Sequence, residues 1–286
     1  MAKKKYNLSF SEFNLFKQCP LKWYYNNVLY LPGDVSEETL FGGALHNSIE
    51  DLLTKPTYKK QAFWEFSLKA NLKKKLEEVK DEVFLTKFTN TGLSYFFVKQ
   101  GYELLTHLNF FTRFKDYDIL EVEFKLDGMS IIEFDDIEFC FKGYIDLVLK
   151  HKITGRILLI DWKTSKKMWD IKKKMKENDD FFAQLALYKN YYSIKTGTPL
   201  NQIDCWFFNL PREEAKEMNN YVGTINETYL EFLIDDLKET CTKIYHQNFS
   251  ELSKAKFIHK KNYCNRCQFN NEENCNDYEE FQKLII

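Results

Sequence analysis

The runs Gly143-Tyr144-Ile145-Asp146-Leu147-Val148 and Ile157-Leu158-Leu159-Ile160-Asp161-Trp162-Lys163 decide how this chain folds. The second run begins as a continuous apolar stretch, which is typical of a strand buried on both faces, and Gly155 marks the turn that leads into it. The connection between the two runs is short enough for a hairpin. Pairing of the two strands would then bring Asp146 beside Asp161.

The segments on either side of this hairpin complete an α/β pattern. Alternating apolar and charged residues over 119–126 predict a half-buried strand, and further strand is expected over 131–149. A helix is expected over roughly 179–196 and another strand over 203–210. The order helix, three strands, helix, strand predicts an α/β sheet with its crossover helix on one face.

Helices are expected before and after this core. The capping-box spacing of Ser9 and Glu12 predicts the start of a helix that breaks near Pro20. Apolar periodicity predicts further helices, namely over 37–53, 58–80, 91–115 and 226–246.

The chain contains no internal repeat, low-complexity tract or Pro/Gly/Ser linker, so we expect a single domain over residues 1–286. Its parts would be an N-terminal helical part over about 1–116, an α/β core over about 117–212, and a C-terminal helix with a cysteine tail over about 213–286.

The composition is that of a globular protein, with 44% hydrophobic and 29% charged residues. The formal net charge of −1 gives no overall attraction for a polyanion, so a nucleic-acid partner would require lysines concentrated locally. Seven lysines do lie between residues 163 and 176. A lysine run is also typical of a solvated helix face, so the run alone does not decide.

No apolar stretch is long enough to span a bilayer, and Met1-Ala2-Lys3-Lys4-Lys5 lacks the apolar core of a signal peptide. We therefore expect a cytoplasmic protein with no membrane partner and with reduced thiols. Its seven cysteines are then metal ligands or buried small hydrophobic residues. Cys140, Cys205 and Cys241 lie in apolar patterns, which favours the core for these three.

The aspartates and the lysine form a chemically specific group. Asp161 and Lys163 are two residues apart on one strand, so their side chains share a face. Two neighbouring carboxylates repel unless a cation lies between them, and hard oxygen ligands suit Mg²⁺ or Mn²⁺. A lysine beside such a metal can orient water and stabilise charge on a phosphate. The alternative is that both aspartates form ordinary ion pairs at strand ends.

Several motifs together resemble the RecB-type branch of the PD-(D/E)XK nuclease superfamily, close to the CRISPR-associated adaptation nucleases and the AddB nuclease domain. The hairpin runs match its second and third motifs, and Gln184-Leu185-Ala186-Leu187-Tyr188 matches its helix motif. Gly42-Gly43-Ala44-Leu45-His46 resembles its first motif. The resemblance implies a restriction-endonuclease-like mixed sheet with an N-terminal helical cap.

The resemblance also implies a role for each matching residue. The metal ligands would be His46, Asp146, Asp161 and the main-chain carbonyl of Trp162. Lys163 would act on the water, and Gln184 and Tyr188 would position the DNA strand or support Lys163. Glu123, on the first predicted strand, either belongs to the site or is an exposed strand carboxylate.

Members of the same branch hold a [4Fe–4S] cluster on one N-terminal and three C-terminal cysteines. Phe16 to Tyr24, around Cys19, resembles the first part of that motif, and Cys264, Cys267 and Cys275 would complete it. The cluster would join the N- and C-terminal segments of the chain. The spacing of seven residues between the last two cysteines is longer than the five common in the family, and four thiolates also suit Zn²⁺.

The resemblance implies a metal-dependent DNA nuclease that hydrolyses phosphodiester bonds, more in keeping with an exonuclease than an endonuclease. Its substrate would be single-stranded DNA or DNA ends, in recombination, repair, replication or CRISPR adaptation, with a recombination, helicase or integrase protein as partner. One alternative is a catalytically silent nuclease-fold module that binds DNA within a larger complex. Another is a zinc-stabilised adaptor whose acidic residues lie on the surface.

Overall fold

The computed structural model describes residues 3–31, 35–177, 181–223, 225–246, 267 and 269. These residues form two compact units. The first unit comprises the described residues within Met1–Asp34, Asp127–Gly143 and Asn226–Ile286, and the second those within Val35–Leu126 and Tyr144–Ile225. The single domain expected from the sequence, with boundaries near residues 116 and 212, stays a prediction.

The first unit begins with strand β1 (Lys4–Ser9), followed by helices α1 (Phe10–Gln18) and α2 (Pro20–Asn27). Ser9 and Glu12 form the expected capping box at the start of α1, and Pro20 opens α2, so the predicted break is confirmed. The strand β1, which pairs in parallel with residues 137–142, was not predicted from the sequence. Only Leu8 of this strand is buried, so its apolar pattern is weak.

The same unit also contains the long helix α10 (Glu227–Tyr245). It agrees with the helix expected over 226–246, and Asn226 caps its start. Its Leu233, Leu237 and Cys241 are fully buried. The carboxylate of Asp236 pairs with Lys17 of α1.

Five further strands are described along the chain, and they form a mixed sheet. The chain has β2 (Tyr117–Glu133), β3 (Ile137–His151), β4 (Ile157–Ser165), β5 (Ile203–Pro211) and β6 (Asn219–Val222). The pairing of β3 with β4 is antiparallel, that of β4 with β5 parallel, and that of β5 with β6 antiparallel. The expected hairpin and the mixed α/β sheet are therefore present, and β6 is an additional edge strand.

Helices of the second unit surround this sheet. They are α3 (Glu37–Thr54), α4 (Trp64–Glu77), α5 (Glu82–Asn90), α6 (Leu93–Leu108), α7 (Phe110–Arg113), α8 (Ile171–Glu177) and α9 (Ala183–Thr196). The single helices expected over 58–80 and 91–115 are each divided. Two 3₁₀ turns precede α4, while Asn109 interrupts the second segment with a left-handed φ of 41°.

The helix α9 makes the crossover between the parallel strands β4 and β5, as the sequence predicts. On α3, a buried face that includes Leu45, Ile49 and Leu52 belongs to one core with Leu158 and Ile160 of β4. None of the helices in the described ranges is long and apolar enough to cross a membrane.

A glycine allows α3 to approach β4 closely. A Cβ atom at Gly42 would lie 2.8 Å from Oγ1 of Thr164, a distance that real Cβ atoms essentially never show. The approach fixes the part of α3 that carries His46, one helical turn further along. The glycine at position 42 is therefore required by the close packing of α3 against β4.

Candidate active site

The hairpin brings Asp146 and Asp161 together where its two strands separate. Regular pairing runs from Lys150–Ile157 to Leu147–Ile160, so the next residues in register are the two aspartates. There the carboxylate of Asp146 accepts a hydrogen bond from the main-chain N–H of Trp162, with 2.6 Å between Oδ2 and N. Asp146 thus binds the backbone between Asp161 and Lys163 directly.

Asp161 is a buried carboxylate with an incomplete set of partners. Only 3% of the residue is exposed, and Nζ of Lys163 lies 2.7 Å from Oδ2. This oxygen has the ion pair but accepts no well-directed hydrogen bond from any described residue. Burial raises the pKa of Asp161 above its ordinary value; the nearby Asp146 carboxylate raises it further, and Lys163 opposes both.

The ammonium group of Lys163 is held from three directions. Besides the ion pair with Asp161, it donates a hydrogen bond of 2.8 Å to Oε1 of Gln184. The amide of Gln184 in turn donates to the hydroxyl of Tyr188 at 2.9 Å. The ring of Phe207 lies beside the ammonium, with 5.2 Å from Nζ to the ring centroid. Lys163 is therefore fixed in one direction before any substrate arrives.

His46 faces the same acidic pair from α3. Its Nδ1 lies 3.7 Å from Oδ1 of Asp146, which is an electrostatic contact rather than a hydrogen bond. Burial alone would lower the pKa of His46, but the carboxylates of Asp146 and Asp161 outweigh it and hold the pKa above its ordinary value. Its side chain keeps 27% exposure, so solvent reaches this edge of the site.

Glu123 approaches the site from β2 with a strained backbone. Its φ is 56°, in the left-handed region that non-glycine residues seldom adopt and that costs energy. The residue is half-buried, and this burial, reinforced by the charges of Asp146 and Glu50, raises the pKa of Glu123 to about 7. The charge of Asp146 acts on Glu123, so this carboxylate lies near the acidic pair.

Two residues of β5 belong to this arrangement and were missed by the sequence analysis. Asn209, fully buried, donates hydrogen bonds to the main-chain oxygen of Lys163 (3.1 Å) and to Oγ of Ser165 (2.8 Å). Phe207 is the ring beside the Lys163 ammonium. The signal for Asn209 was a lone amide within the apolar stretch 203–210; Phe207 carried none, because aromatic residues are ordinary in buried strands.

The donor atoms suit a divalent cation of the Mg²⁺ or Mn²⁺ type. Two carboxylates and one imidazole converge, and a buried oxygen of Asp161 lacks a hydrogen bond. Within the described ranges, no three His, Cys, Asp or Glu side chains are already drawn into a coordination group. One carboxylate oxygen of Asp146 is engaged by the main-chain N–H of Trp162, and one of Asp161 by the ammonium of Lys163.

Only part of the predicted cysteine cluster can be located. Cys19 caps the start of α2, where its sulfur accepts a hydrogen bond from the main-chain N–H of Lys22, and Cys267 is half-buried. Cys264 and Cys275 lie outside the described residues. The core interpretation of Cys140, Cys205 and Cys241 is confirmed, because all three are buried.

Comparisons with known proteins agree with this geometry. The family model of the PD-(D/E)XK nuclease superfamily matches residues 7–271. Among solved structures, the chain is similar to a protein from Eubacterium rectale described as a "Putative exonuclease", with a TM-score of 0.51 and 13% sequence identity. That likeness covers 87% of this chain and 82% of the other, and it concerns the fold. A comparison with curated protein sequences gives no match.

Proposed function

Because the chain belongs to the PD-(D/E)XK nuclease superfamily, we propose that it is a metal-dependent DNA nuclease that hydrolyses phosphodiester bonds. The observation that carries the proposal is the fixed group Asp146, Asp161 and Lys163, in which Gln184 holds the lysine beside the acidic pair. The second polar partner fixes the direction of the ammonium, as a group that must aim at a reacting atom requires.

Four groups of this chain would hold Mg²⁺ or Mn²⁺: His46, Asp146, Asp161 and the main-chain carbonyl of Trp162. Such an ion neutralises phosphate charge and lowers the pKa of bound water. The Asp146 carboxylate also accepts the N–H of Trp162, so it fixes the peptide between Asp161 and Trp162, which adjoins the peptide whose carbonyl would bind the ion. The imidazole of His46 serves as a ligand in its neutral form.

Lys163 orients the attacking water and stabilises charge that develops on the phosphate. Gln184 receives one ammonium hydrogen and Phe207 lies along another side, so the remaining donors face the acidic pair. Tyr188 fixes the amide orientation of Gln184. Burial raises the pKa of Tyr188, so its hydroxyl stays protonated. We place Glu123 in the site as a further carboxylate.

For the substrate we propose single-stranded DNA or DNA ends, cut by exonuclease action. The proposal follows the RecB-type resemblance, and the description of the Eubacterium rectale protein as a "Putative exonuclease" agrees with it. Five exposed lysines between residues 166 and 174 follow the end of β4 and supply charge for a phosphate backbone. The setting would be recombination, repair, replication or CRISPR adaptation in the cytoplasm, with a helicase, integrase or other recombination protein as partner.

We also propose that Cys19, Cys264, Cys267 and Cys275 bind a [4Fe–4S] cluster, with Zn²⁺ as the alternative. One described contact supports convergence of these segments: the ring of Phe269, two residues beyond Cys267, lies 5.0 Å from the ring of Tyr25 on α2. Absorbance near ~400 nm, lost in Cys19→Ser, supports iron–sulfur. A colourless preparation that contains zinc supports the alternative.

The proposed activity is tested with purified protein and single- and double-stranded DNA carrying a label at the 5′ or the 3′ end. Products are followed with Mg²⁺, with Mn²⁺ and with a chelator. The proposal expects degradation that the chelator stops and that shortens single strands from an end. DNA that is bound but left intact in every metal condition would instead favour the silent DNA-binding module.

A further inference from the structure

A groove outside the candidate active site lies between α4 and α6 of the second unit. Its volume is about 510 Å³, and its floor is formed by Leu72 and Leu76 of α4 and Val98 of α6. The helices approach closely beneath it, because a Cβ at Gly101 would lie 2.7 Å from a methyl carbon of Leu68. The groove is therefore a fixed feature of helix packing.

Two tyrosines lie along the α6 side of this groove. Tyr95 is 72% exposed, and Tyr102 lies two turns further along the helix. Tyr102 is half-buried, with its ring 6.2 Å from that of Trp64, and its hydroxyl accepts a hydrogen bond of 3.0 Å from the amide of Gln61, so it forms a fixed wall of the groove. An exposed ring beside an apolar floor offers a flat surface on which another planar group can stack.

Positive charge borders the same groove. Lys69 and Lys73 lie one turn apart on α4, and Lys99 lies between the two tyrosines on α6. One carboxylate, that of Glu65, also lines the groove and pairs with Lys69 at 2.6 Å, while Glu77, outside the groove, pairs with Lys73 at 3.9 Å. Among the residues that the structure describes, no carboxylate forms an ion pair with Lys99. The border therefore carries a net positive charge.

Planar faces beside lysines match the chemistry of unpaired nucleotides. Bases stack on aromatic rings irrespective of sequence, and lysines along the rim neutralise the phosphates. Tyr95 and Tyr102 are separated by about 10 Å along the helix axis, and stacked nucleotides advance about 3.4 Å each, so about three would fit. A duplex conceals its base faces and would not reach the apolar floor.

We propose that the groove between α4 and α6 is a second nucleic-acid site, which binds unpaired nucleotides of the DNA substrate through Tyr95, Tyr102, Lys69, Lys73 and Lys99. The inference rests on the proposed function for the identity of its ligand. It adds a binding site remote in sequence from the aspartates and the catalytic lysine. Leu72 lines the groove and also a small cavity beside Ala44 and Leu45, the two residues that precede His46 on α3.

The test measures binding without cleavage. The Lys163→Ala variant is titrated against a fluorescent oligothymidylate at several salt concentrations, and groove substitutions are added to it. Tyr95→Ala should weaken binding by about tenfold, because it removes one stacking surface. Phe66→Ala is the matched control: Phe66 on α4 is an exposed aromatic residue, at 63%, and does not line the groove.

The lysines are tested by their effect on the salt dependence. Replacing Lys69, Lys73 and Lys99 by glutamine should reduce the slope of log affinity against log salt by about 2, since each lost phosphate contact contributes about 0.7 on single strands. Lys74→Gln is the control, because Lys74 is exposed on α4 outside the groove. Affinity for a blunt duplex should not respond to Tyr95→Ala.

Equal affinities for Tyr95→Ala and Phe66→Ala, with an unchanged salt slope, would overturn the groove assignment even if the wild-type protein degrades DNA. Self-association that Tyr95→Ala abolishes, without any change in DNA affinity, would assign the groove to a second copy and also overturn it. Conversely, a protein that cuts no DNA but binds single strands through Tyr95 would refute the nuclease proposal and leave the groove assignment standing.

Discussion

Lys163 and Glu123 both lie near the Asp146–Asp161 pair, but the chain holds them by different means. Lys163 is surrounded by an ion pair, a hydrogen bond and an aromatic ring, all from neighbouring elements β4, α9 and β5. Glu123 lies in a strained left-handed backbone conformation with a pKa near 7, raised chiefly by burial. One side of the site is fixed by direct contacts, and the other depends on the wider fold.

The two ways of holding a side chain suit different roles in the reaction. A fully contacted lysine keeps its direction through a reaction cycle, which suits a group that must aim at water. A carboxylate held by strain persists only because the surrounding structure determines it, and such positions cluster at functional sites. Substitutions at Lys163 and the residues that contact it should therefore change activity alone. Substitutions around Glu123 on β2, and on α3, should also change stability.

The largest effect is expected at the acidic pair. Asp161→Asn keeps the shape of the side chain and removes its charge, so cleavage should fall by at least about 100-fold while the fold is retained. Rates are measured at saturating Mn²⁺ and folding by circular dichroism. Asp118→Asn, on an exposed position of β2, is the control. Near-normal cleavage by Asp161→Asn would remove this aspartate from the site.

The next effect is expected at His46. Because its imidazole faces Asp146 from α3, His46→Ala should raise the Mn²⁺ concentration needed for half-maximal cleavage by about 10- to 100-fold. The measurement is a metal titration of the cleavage rate. His107→Ala on α6 serves as the control. An unchanged metal requirement would show that His46 is structural.

A smaller effect, on stability as well as activity, is expected at Gly42. In Gly42→Ala the new methyl group would clash with Oγ1 of Thr164, and the variant should lose about 1–3 kcal/mol of unfolding free energy. Thr164→Ala should restore part of this loss. The control is Gly43→Ala, whose nearest neighbour is the flexible end of Lys75 at 3.2 Å. Equal stability of both glycine variants would contradict the close-approach explanation.

The smallest effect is expected at Tyr188. Removal of its hydroxyl in Tyr188→Phe leaves the ring but frees the Gln184 amide, so the rate should fall about three- to tenfold with little change in substrate affinity. Cleavage rates at low and saturating DNA separate the two quantities. A change confined to affinity would instead assign Tyr188 to strand positioning.

The sequence predicts the Lys163 side of the site better than the Glu123 side. Asp146, Asp161 and Lys163 follow from strand periodicity and one hairpin, which are local rules, whereas Gln184 and Tyr188 were predicted through the resemblance to the nuclease family. The strain at Glu123 depends on a backbone bend within β2, and the ring of Phe207 reaches Lys163 only through parallel pairing across a crossover. Neither leaves a periodic signal in the sequence.

Some elements of the fold escaped prediction for the same reason. The strand β1 has one buried residue and joins the sheet by pairing with residues 137–142, far along the chain. The interruptions before α4 and at Asn109 are local, but apolar periodicity continues across them. The approach of α3 to β4 requires Gly42, whose partner Thr164 cannot be identified from either segment alone.

The central claim, that Lys163 is a catalytic group directed by its neighbours, is tested most directly by single-turnover cleavage of end-labelled single-stranded DNA in Mn²⁺. Lys163→Ala should lower the rate at least about 100-fold. The exposed Lys216→Ala variant should stay within about twofold of the wild-type protein. A Lys163→Ala protein that cleaves at the wild-type rate, with the same dependence on Mn²⁺, would contradict the account.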